Sequence, residues 1–144
     1  MSKRKFLKDS DQKAFNAMLA FDQYLEESVL TKAHWEMIKI RVSQINGCAY
    51  CIDKHSKDAM KAGESAQRIY LLPVWRETSF FTEEEQSILA LAEEMTLIAQ
   101  KGVSDEVYDR ALELLGQEYL TAVMMAVIAM NAWNRVGIAT ARTP

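Results

Sequence analysis

The spacing of apolar residues constrains the fold of this chain more than any other feature. They recur at helical intervals along almost the whole sequence, and only short breaks separate the periodic segments. Glycine and proline, which punctuate turn-rich β architectures, occur only five and two times. The pattern therefore predicts an all-α fold, a single-domain helical bundle of about six or seven helices over residues 1–144.

Capping residues predict where these helices begin and end. Thr31 is a suitable N-cap for a helix that runs to Ile45, and Asn46-Gly47 then supplies a stop signal. Thr82 and Glu85 have the spacing of a capping box. The predicted helices cover about 10–27, 31–45, 48–62, 65–72, 82–100, 104–116 and 119–135, with a connector over about 74–81.

The segment 119–133 is the most apolar part of the chain. It is shorter than the roughly 20 residues that a membrane span requires, and it contains Thr121 and Asn131, so we expect a buried helix and no membrane partner. A chain of this size covers such a helix poorly, which favours a homo-oligomer. The N-terminal segment is basic but lacks the apolar region of a signal peptide, so a cytoplasmic location is expected.

Charge and cysteine content exclude several classes of protein. The net charge is -3, and acidic and basic residues are interspersed, so the basic surface of a nucleic-acid-binding protein is not expected. The two cysteines lie three residues apart, unlike the framework of a disulfide-stapled secreted domain. In a reducing compartment, such a pair indicates redox chemistry or metal binding.

Helical geometry places the two cysteines and one histidine on the same helix face. A rotation of about 100° per residue brings Cys48, Cys51 and His55 to the buried side of the third helix. We expect this face to be largely apolar and the opposite face to be solvated. Ile52, Ala59 and Ala62 belong to the first face, and Asp53, Lys54, Lys57 and Asp58 belong to the second.

This arrangement suits thiol chemistry. The β-carbons of Cys48 and Cys51 should lie about 5–6 Å apart, close enough for a disulfide after modest adjustment. The helix N-terminus favours thiolate over thiol through its free amides and its dipole. His55, one turn after Cys51, can exchange a proton with that sulfur directly or through a water.

Two other interpretations of these residues remain open. Buried cysteine is common as a small core residue, and a histidine on an apolar face is commonly just hydrogen-bonded. Cys48, Cys51 and His55 could also ligate zinc together with a carboxylate, although structural zinc sites usually combine two separated ligand pairs.

The spacing of four residues resembles the core signature of the alkylhydroperoxidase D-like (AhpD-like) branch of the carboxymuconolactone decarboxylase superfamily. These residues are Glu36, then Cys48-x-x-Cys51 after eleven intervening positions, then His55 after three more. The stretches 41–51 and 131–135 also resemble that family, and the similarity extends over about residues 15–138.

The resemblance implies an AhpD-like fold and a thiol-dependent antioxidant oxidoreductase, with its redox core at about residues 31–63. Cys51 would attack a small hydroperoxide or an adaptor disulfide, Cys48 would resolve the product, and Glu36 with His55 would form a proton relay. The resemblance further implies a homotrimer or homohexamer with no tightly bound cofactor. Its electrons would come from an external dithiol, either a lipoyl group or a thioredoxin-like protein acting as reducing adaptor.

One residue departs from the family pattern. The better-studied peroxidase has a second histidine between its cysteines, where this chain has Tyr50. Tyrosine titrates near pH 10, about three units above neutrality, so Tyr50 can donate a hydrogen bond but is a poor proton shuttle. The alternatives are therefore a general disulfide reductase or a redox-sensing module, and less so a γ-carboxymuconolactone decarboxylase or a zinc-stabilised module. His34 is expected at the surface or in a cap, and Met124, Met125 and Met130 in packing contacts.

Overall fold

The computed structural model describes residues 2–144, and Met1, the first residue of the basic N-terminal segment, lies outside them. Within these residues the chain forms nine α-helices and one short 3-10 helix, with no β-strand, which confirms the all-α prediction. The α-helices are α1 (Leu7–Ser10), α2 (Gln12–Glu27), α3 (Lys32–Asn46), α4 (Ala49–Lys61), α5 (Ala66–Leu71), α6 (Glu83–Thr96), α7 (Ile98–Lys101), α8 (Asp105–Leu115) and α9 (Gln117–Ala139).

The predicted caps are present, but the predicted helix count is too low. Thr31 caps α3 by accepting a hydrogen bond from the His34 amide, and the Thr82–Glu85 capping box begins α6. The sequence pattern missed α1, because a four-residue helix is too short to show periodicity, and it merged α7 with α6 into one helix over 82–100. Residues 72–77, assigned mostly to a connector, form the 3-10 helix, and α6 ends at Thr96 rather than near residue 100.

Helix α9 lies at the centre of the bundle. Helices α2, α3, α6 and α8 pack against it, and its side chains from Leu120 to Met130 are mostly buried. An 18-residue window of this 23-residue helix has a mean hydropathy of 1.3, so by length and composition alone α9 is long and apolar enough to cross a membrane. Helix α4 also packs against α9, and a core helix enclosed by its neighbours passes the same test.

A tight turn between α3 and α4 positions the cysteine motif. Gly47 ends α3 in the left-handed conformation (φ 70°), which glycine adopts without steric cost. The Cys48 amide then donates to the Ser43 carbonyl at 3.1 Å, which closes the turn. Cys48 thereby becomes the N-cap residue of α4, as the sequence predicted for the start of this helix.

A polar network fixes α3 against α9 directly behind this turn. The Asn46 amide donates to the side-chain oxygens of Asn131 (2.9 Å) and Asn134 (3.0 Å). Asn134 is fully buried, and its own amide donates to Ser43 Oγ at 3.0 Å. Because every bond links α3 to α9 and the bond of Asn134 to Ser43 is buried, the network specifies how the two helices align.

Candidate active site

Cys48 and Cys51 form a disulfide at the N-terminus of α4. Their Cα atoms are 5.3 Å apart, and the two residues are only 2% and 4% exposed. The Cys51 amide donates to Cys48 Sγ at 3.4 Å, so the sulfur of Cys48 occupies the N-cap position. The sequence predicted free amide donors at this helix end, and the one that contacts a cysteine sulfur contacts that of Cys48.

Gly137 allows α9 to approach the disulfide closely. A β-carbon at this position would lie 3.3 Å from Cys48 Sγ and 3.6 Å from Cys51 Sγ. The first distance is shorter than ordinary van der Waals contact between carbon and sulfur. Gly137 therefore makes room for the sulfurs between α4 and α9.

His55 and Glu36 face each other beside the disulfide. His55 Nδ1 lies 3.7 Å from Glu36 Oε2, and neither of these buried atoms has a hydrogen-bond partner among the described residues. The other oxygen, Glu36 Oε1, accepts a hydrogen bond from Lys39 Nζ at 3.1 Å. Burial alone would raise the pKa of Glu36, but His55 and Lys39 outweigh it and hold the pKa below its usual value. Glu36 is therefore an anion at neutral pH.

A cavity of about 890 Å³ lies beside Cys51. Cys51, His55 and Tyr50 line it, whereas Cys48 is not among its lining residues. The Trp133 indole forms part of its wall and donates to Asp22 Oδ1 at 3.2 Å. Burial raises the pKa of Asp22 above its usual value despite this bond. A small molecule in this cavity would therefore contact Cys51 rather than Cys48.

Aromatic and cationic side chains from both ends of the described chain line the same cavity. The Arg142 guanidinium carbon lies 4.0 Å from the centre of the Tyr50 ring and 4.4 Å from that of Phe6. Phe6 packs edge-to-face on Phe15, which packs in the same way on Trp133. The aromatic side chains thus form one continuous wall that ends at Arg142.

Glu36 does not line this cavity but a second one, of about 370 Å³. Its wall includes Ala59 of α4 and the ion pair of Arg68 with Glu85, whose atoms approach to 2.6 Å. Since His55 lines the first cavity and Glu36 the second, the Glu36–His55 pair lies between the two.

The structure brings together all four residues of the spacing signature: Glu36, Cys48, Cys51 and His55. One expectation needs correction: Ala62, expected on the buried face, is exposed because α4 ends one residue earlier. Lys54 and Asp58 pair at 2.8 Å on the solvated face, as predicted, and both also line the cavity.

His34 lies in the cap region of α3: its amide donates to the N-cap Thr31, and Nδ1 of its half-buried ring lies 2.5 Å from the Tyr119 hydroxyl. Burial lowers its pKa. Met124, Met125 and Met130 pack against the core as predicted, and Met130 also lines the cavity of Cys51.

One group of side chains has donor atoms close enough to hold a metal ion. Donor atoms of Glu36, His55 and Asp58 all lie within 4.8 Å of one another. Each carboxylate already contacts an ammonium group, that of Lys39 or Lys54, which disfavours a second cation. The zinc ligand set considered from the sequence is not assembled in this state, because its two sulfurs are bonded to each other.

Sequence reasoning missed four residues that shape the site: Asp22, Asn134, Gly137 and Arg142. A signal existed for Asn134, because an amide within the most apolar helix has to find a buried partner. Arg142 follows the last helix without any recognisable pattern, and only the fold brings it to the cavity.

Comparisons with known proteins agree with the resemblance seen in the sequence. The carboxymuconolactone decarboxylase family model matches residues 12–94. The uncharacterised protein YdfG of Bacillus subtilis is 41% identical over 139 residues, which are 96% of this chain and 95% of YdfG.

Two solved structures share the fold. One, from Agrobacterium tumefaciens, is described as a protein of unknown function and candidate antioxidant defence protein AhpD; it has a TM-score of 0.94, 33% identity and 99% coverage of both chains. The other is an uncharacterised peroxidase-related protein from Silicibacter sp. TM1040, with a TM-score of 0.81 and 25% identity. The match covers 93% of this chain and 71% of that one.

Proposed function

Because the chain belongs to the carboxymuconolactone decarboxylase family, we propose that it is a thiol-dependent oxidoreductase that reduces hydroperoxides through Cys51 and Cys48. The observation that carries this proposal is the Cys48–Cys51 disulfide beside a cavity that Cys51 and His55 line. A peroxidase cycle of this kind forms and breaks a disulfide between Cys48 and Cys51, and Cys51 lies at the cavity wall.

In the oxidative half of the cycle, the Cys51 thiolate attacks the outer oxygen of a hydroperoxide. The O–O bond breaks, Cys51 becomes a sulfenic acid, and the alkoxide takes up a proton to leave as an alcohol. The Cys48 thiol then attacks the sulfur of Cys51, and water leaves as the disulfide forms. Two electrons have moved from the two thiols to the peroxide.

Glu36 and His55 supply the proton transfers of this cycle. Anionic Glu36 lies 3.7 Å from His55 Nδ1, where it can orient the imidazole and exchange a proton with it, and His55 can in turn take the proton of the Cys51 thiol. The unpaired Nδ1 and Oε2 atoms, 3.7 Å apart, leave space for a small adjustment as protons move. A pair already locked in short hydrogen bonds would resist this change.

An external dithiol returns the protein to its reduced state. Its thiolate attacks Cys51 Sγ, and Cys48 leaves as a thiolate that the Cys51 amide stabilises at the helix N-terminus. The second thiol of the reductant then releases Cys51, and the reductant leaves as a disulfide. We propose a lipoyl group or a thioredoxin-like adaptor for this role, in a homotrimer or homohexamer whose contacts cover exposed residues of α9 such as Ile128.

The two cysteines should fail in different ways when substituted. With dihydrolipoamide as reductant, Cys51→Ser and Cys48→Ser should each lower peroxide turnover by at least about 1000-fold, because both thiols take part in the cycle. In a single turnover, however, reduced Cys48→Ser should still consume one equivalent of peroxide, whereas Cys51→Ser should consume none. Equal turnover by wild type and Cys51→Ser would refute the proposal.

General disulfide reduction is the second candidate, and Tyr50 is the observation that favours it. Its ring contacts Arg142 at the cavity and supplies no second imidazole for proton transfer to a peroxide. To distinguish the two candidate functions, the rate of thiol oxidation is measured after reduced protein is mixed either with a hydroperoxide or with a small disulfide. Faster oxidation by the disulfide, at equal concentration, would make disulfide reduction the primary activity.

The remaining alternatives predict other outcomes. Turnover of γ-carboxymuconolactone that survives loss of both thiols would indicate a decarboxylase, and stoichiometric zinc in the purified protein would indicate a zinc-stabilised module. Thiols that change state once with peroxide, but do not turn over with any dithiol, would indicate a redox sensor.

A further inference from the structure

We propose that Arg142 determines specificity by binding the carboxylate of an anionic substrate above Cys51. This inference rests on the proposed function, because it names the class of substrate for the same site. The site should then prefer a carboxylate-bearing hydroperoxide or dithiol to a neutral molecule of the same shape.

The guanidinium of Arg142 is held in place but is not neutralised. Two rings, those of Tyr50 and Phe6, lie within 4.4 Å of its central carbon, and no carboxylate among the described residues forms an ion pair with it. Cation–π contacts restrain a guanidinium through its face and leave its N–H groups, which point outward in its plane, free to donate. Of the cavity's other cations, Lys39 and Lys54 already pair with carboxylates. Arg4 and Lys8 also line the cavity without an ion pair among the described residues, but neither lies over an aromatic ring that would hold it as Arg142 is held.

The backbone turns back after α9 to bring Arg142 into this position. Ala141 adopts the left-handed conformation (φ 56°), which costs a residue with a β-carbon about 1 kcal/mol. The Arg142 amide then donates to the Gly137 carbonyl at 2.9 Å. The same glycine that makes room for the sulfurs therefore also anchors the residue that carries the guanidinium.

Tyr50 acquires a role in this arrangement. It lies between the two cysteines, where the better-studied peroxidase of the family has a histidine. Of the two rings that contact Arg142, the Tyr50 ring is the closer to its guanidinium carbon. A residue next to Cys51 thus holds a cation in the cavity that Cys51 lines. Tyr50 is a positioning residue, because it acts through Arg142.

Four acidic residues line the cavity: Asp9, Asp22, Glu26 and Asp58. Asp58 pairs with Lys54. Asp22 and Glu26 lie on α2, seven and eleven residues beyond Phe15, or about 10 and 16 Å along the helix axis. Phe15 contacts Phe6, which contacts Arg142, so Asp22 and Glu26 lie toward the far end of α2 from this aromatic contact and should repel a carboxylate from that end. Asp9 is the acidic residue closest in sequence to Phe6, and a carboxylate that binds Arg142 would keep its apolar body along the aromatic wall.

A direct binding experiment tests this inference without requiring turnover. The probes are 4-isopropylbenzoate and 4-isopropylbenzamide, which have the same shape but differ in charge, and calorimetry on the oxidised protein measures the affinity of each. We expect wild type to bind the carboxylate about tenfold more tightly, as a charge-assisted hydrogen bond at a partly solvated site would give. Arg142→Gln should remove this preference, and Arg142→Lys should retain part of it.

Two further pairs of variants control for structural effects. Tyr50→Ala should reduce the preference for carboxylate, whereas Tyr50→Phe, which keeps the ring, should retain it. Arg110→Gln is the matched control, because Arg110 pairs with Glu83 and Glu113 outside the cavity, and it should leave the preference unchanged. Equal affinities of wild type for the two probes, or a preference that survives in Arg142→Gln, would overturn the inference.

Kinetics then identify which substrate carries the carboxylate. One arm compares cumene hydroperoxide with its para-carboxylate, and the other compares dihydrolipoamide with dihydrolipoate in reduction of the Cys48–Cys51 disulfide. In at least one arm, wild type should prefer the carboxylate-bearing compound and Arg142→Gln should lose that preference. If Arg142→Gln changes the preference in neither arm, the inference is overturned. Failure of both peroxides with wild type would refute the proposed peroxidase alone, since the probes and the dithiol arm still report on Arg142.

Discussion

Two glutamates, the buried Glu36 on α3 and the partly buried Glu93 on α6, differ in how completely they are paired. The carboxylate of Glu93 accepts hydrogen bonds from Arg41 Nε (3.0 Å), Trp75 Nε1 (2.9 Å) and Arg76 Nη1 (2.6 Å). Burial opposes its ionisation, but these donors hold the pKa of Glu93 below its usual value. Both of its oxygens are satisfied, and the cluster joins α3 and α6 to the 3-10 segment.

Glu36 has the same direction of pKa shift with far fewer bonds. Lys39 satisfies one of its oxygens, and the other faces His55 across a gap of 3.7 Å without a hydrogen bond. A buried polar atom left unpaired costs free energy, so folding alone does not favour this arrangement. The contrast indicates that Glu93 stabilises the fold, whereas Glu36 has one unpaired oxygen that is available for proton transfer.

The largest expected effect is on the activity of Glu36→Gln. The amide carries no charge and cannot accept a proton from His55, so the rate of oxidation of the reduced protein by peroxide should fall by about 100-fold. The free energy of unfolding should change by less than about 1 kcal/mol, because one oxygen already lacks a partner. Stopped-flow thiol oxidation and urea unfolding measure the two quantities.

Glu93→Gln is the matched control for that measurement, because it makes the same chemical change in the fully paired cluster. If the two variants lost activity equally, the distinction between the glutamates would be wrong.

The next effect is on the stability of Glu93→Gln. Its free energy of unfolding should fall by about 2 kcal/mol, because Arg41, whose side chain is only 14% exposed, would face an uncharged amide. This loss of unfolding free energy is smaller than that expected for a fully buried ion pair, because the side chain of Arg76, the other cation of the cluster, is 57% exposed. Urea unfolding monitored by circular dichroism gives this value, and an unchanged midpoint would contradict the structural role of Glu93.

The smallest effect concerns a property that the two glutamates share. Their pKa values are lowered in the folded state, so the stability they contribute is present above the unfolded value near pH 4.3 and is lost as pH falls through the folded values. Each contributes a slope of at most about 1.4 kcal/mol per pH unit.

Both Gln variants should therefore flatten the acid side of the stability profile, measured by urea unfolding between about pH 5 and pH 2.5. Equal acid slopes in wild type and both variants would show that neither carboxylate changes its proton affinity on folding.

The helices and the site signature could be predicted because both depend on local spacing. Thr31, Gly47 and the Thr82–Glu85 pair act within a few residues of their own position, so the caps could be placed from sequence. The common face of Cys48, Cys51 and His55 follows from the rotation of one helix. The contact of Glu36 with His55 needed the family spacing as well, because it joins two helices.

The remainder of the site depends on tertiary contacts that no local pattern encodes. Gly137 matters through the sulfurs of another helix, and Arg142 matters through Tyr50 and Phe6, which are far away in sequence. Short helices such as α1 were missed for a different reason, since their stability comes from contacts with neighbouring elements rather than from their own periodicity.

The central position of α9 has a consequence for synthesis on the ribosome. The contacts that align it join residues far apart in sequence: Trp133 with Asp22 across 111 positions, and Asn134 with Ser43 across 91. The cysteines leave the ribosome long before this helix does, and at about 5–20 residues per second several seconds separate the two events. During that interval α9 cannot cover the thiols of the nascent chain, so oxidation of Cys48 and Cys51 can precede the enclosure that later restricts which molecules reach them.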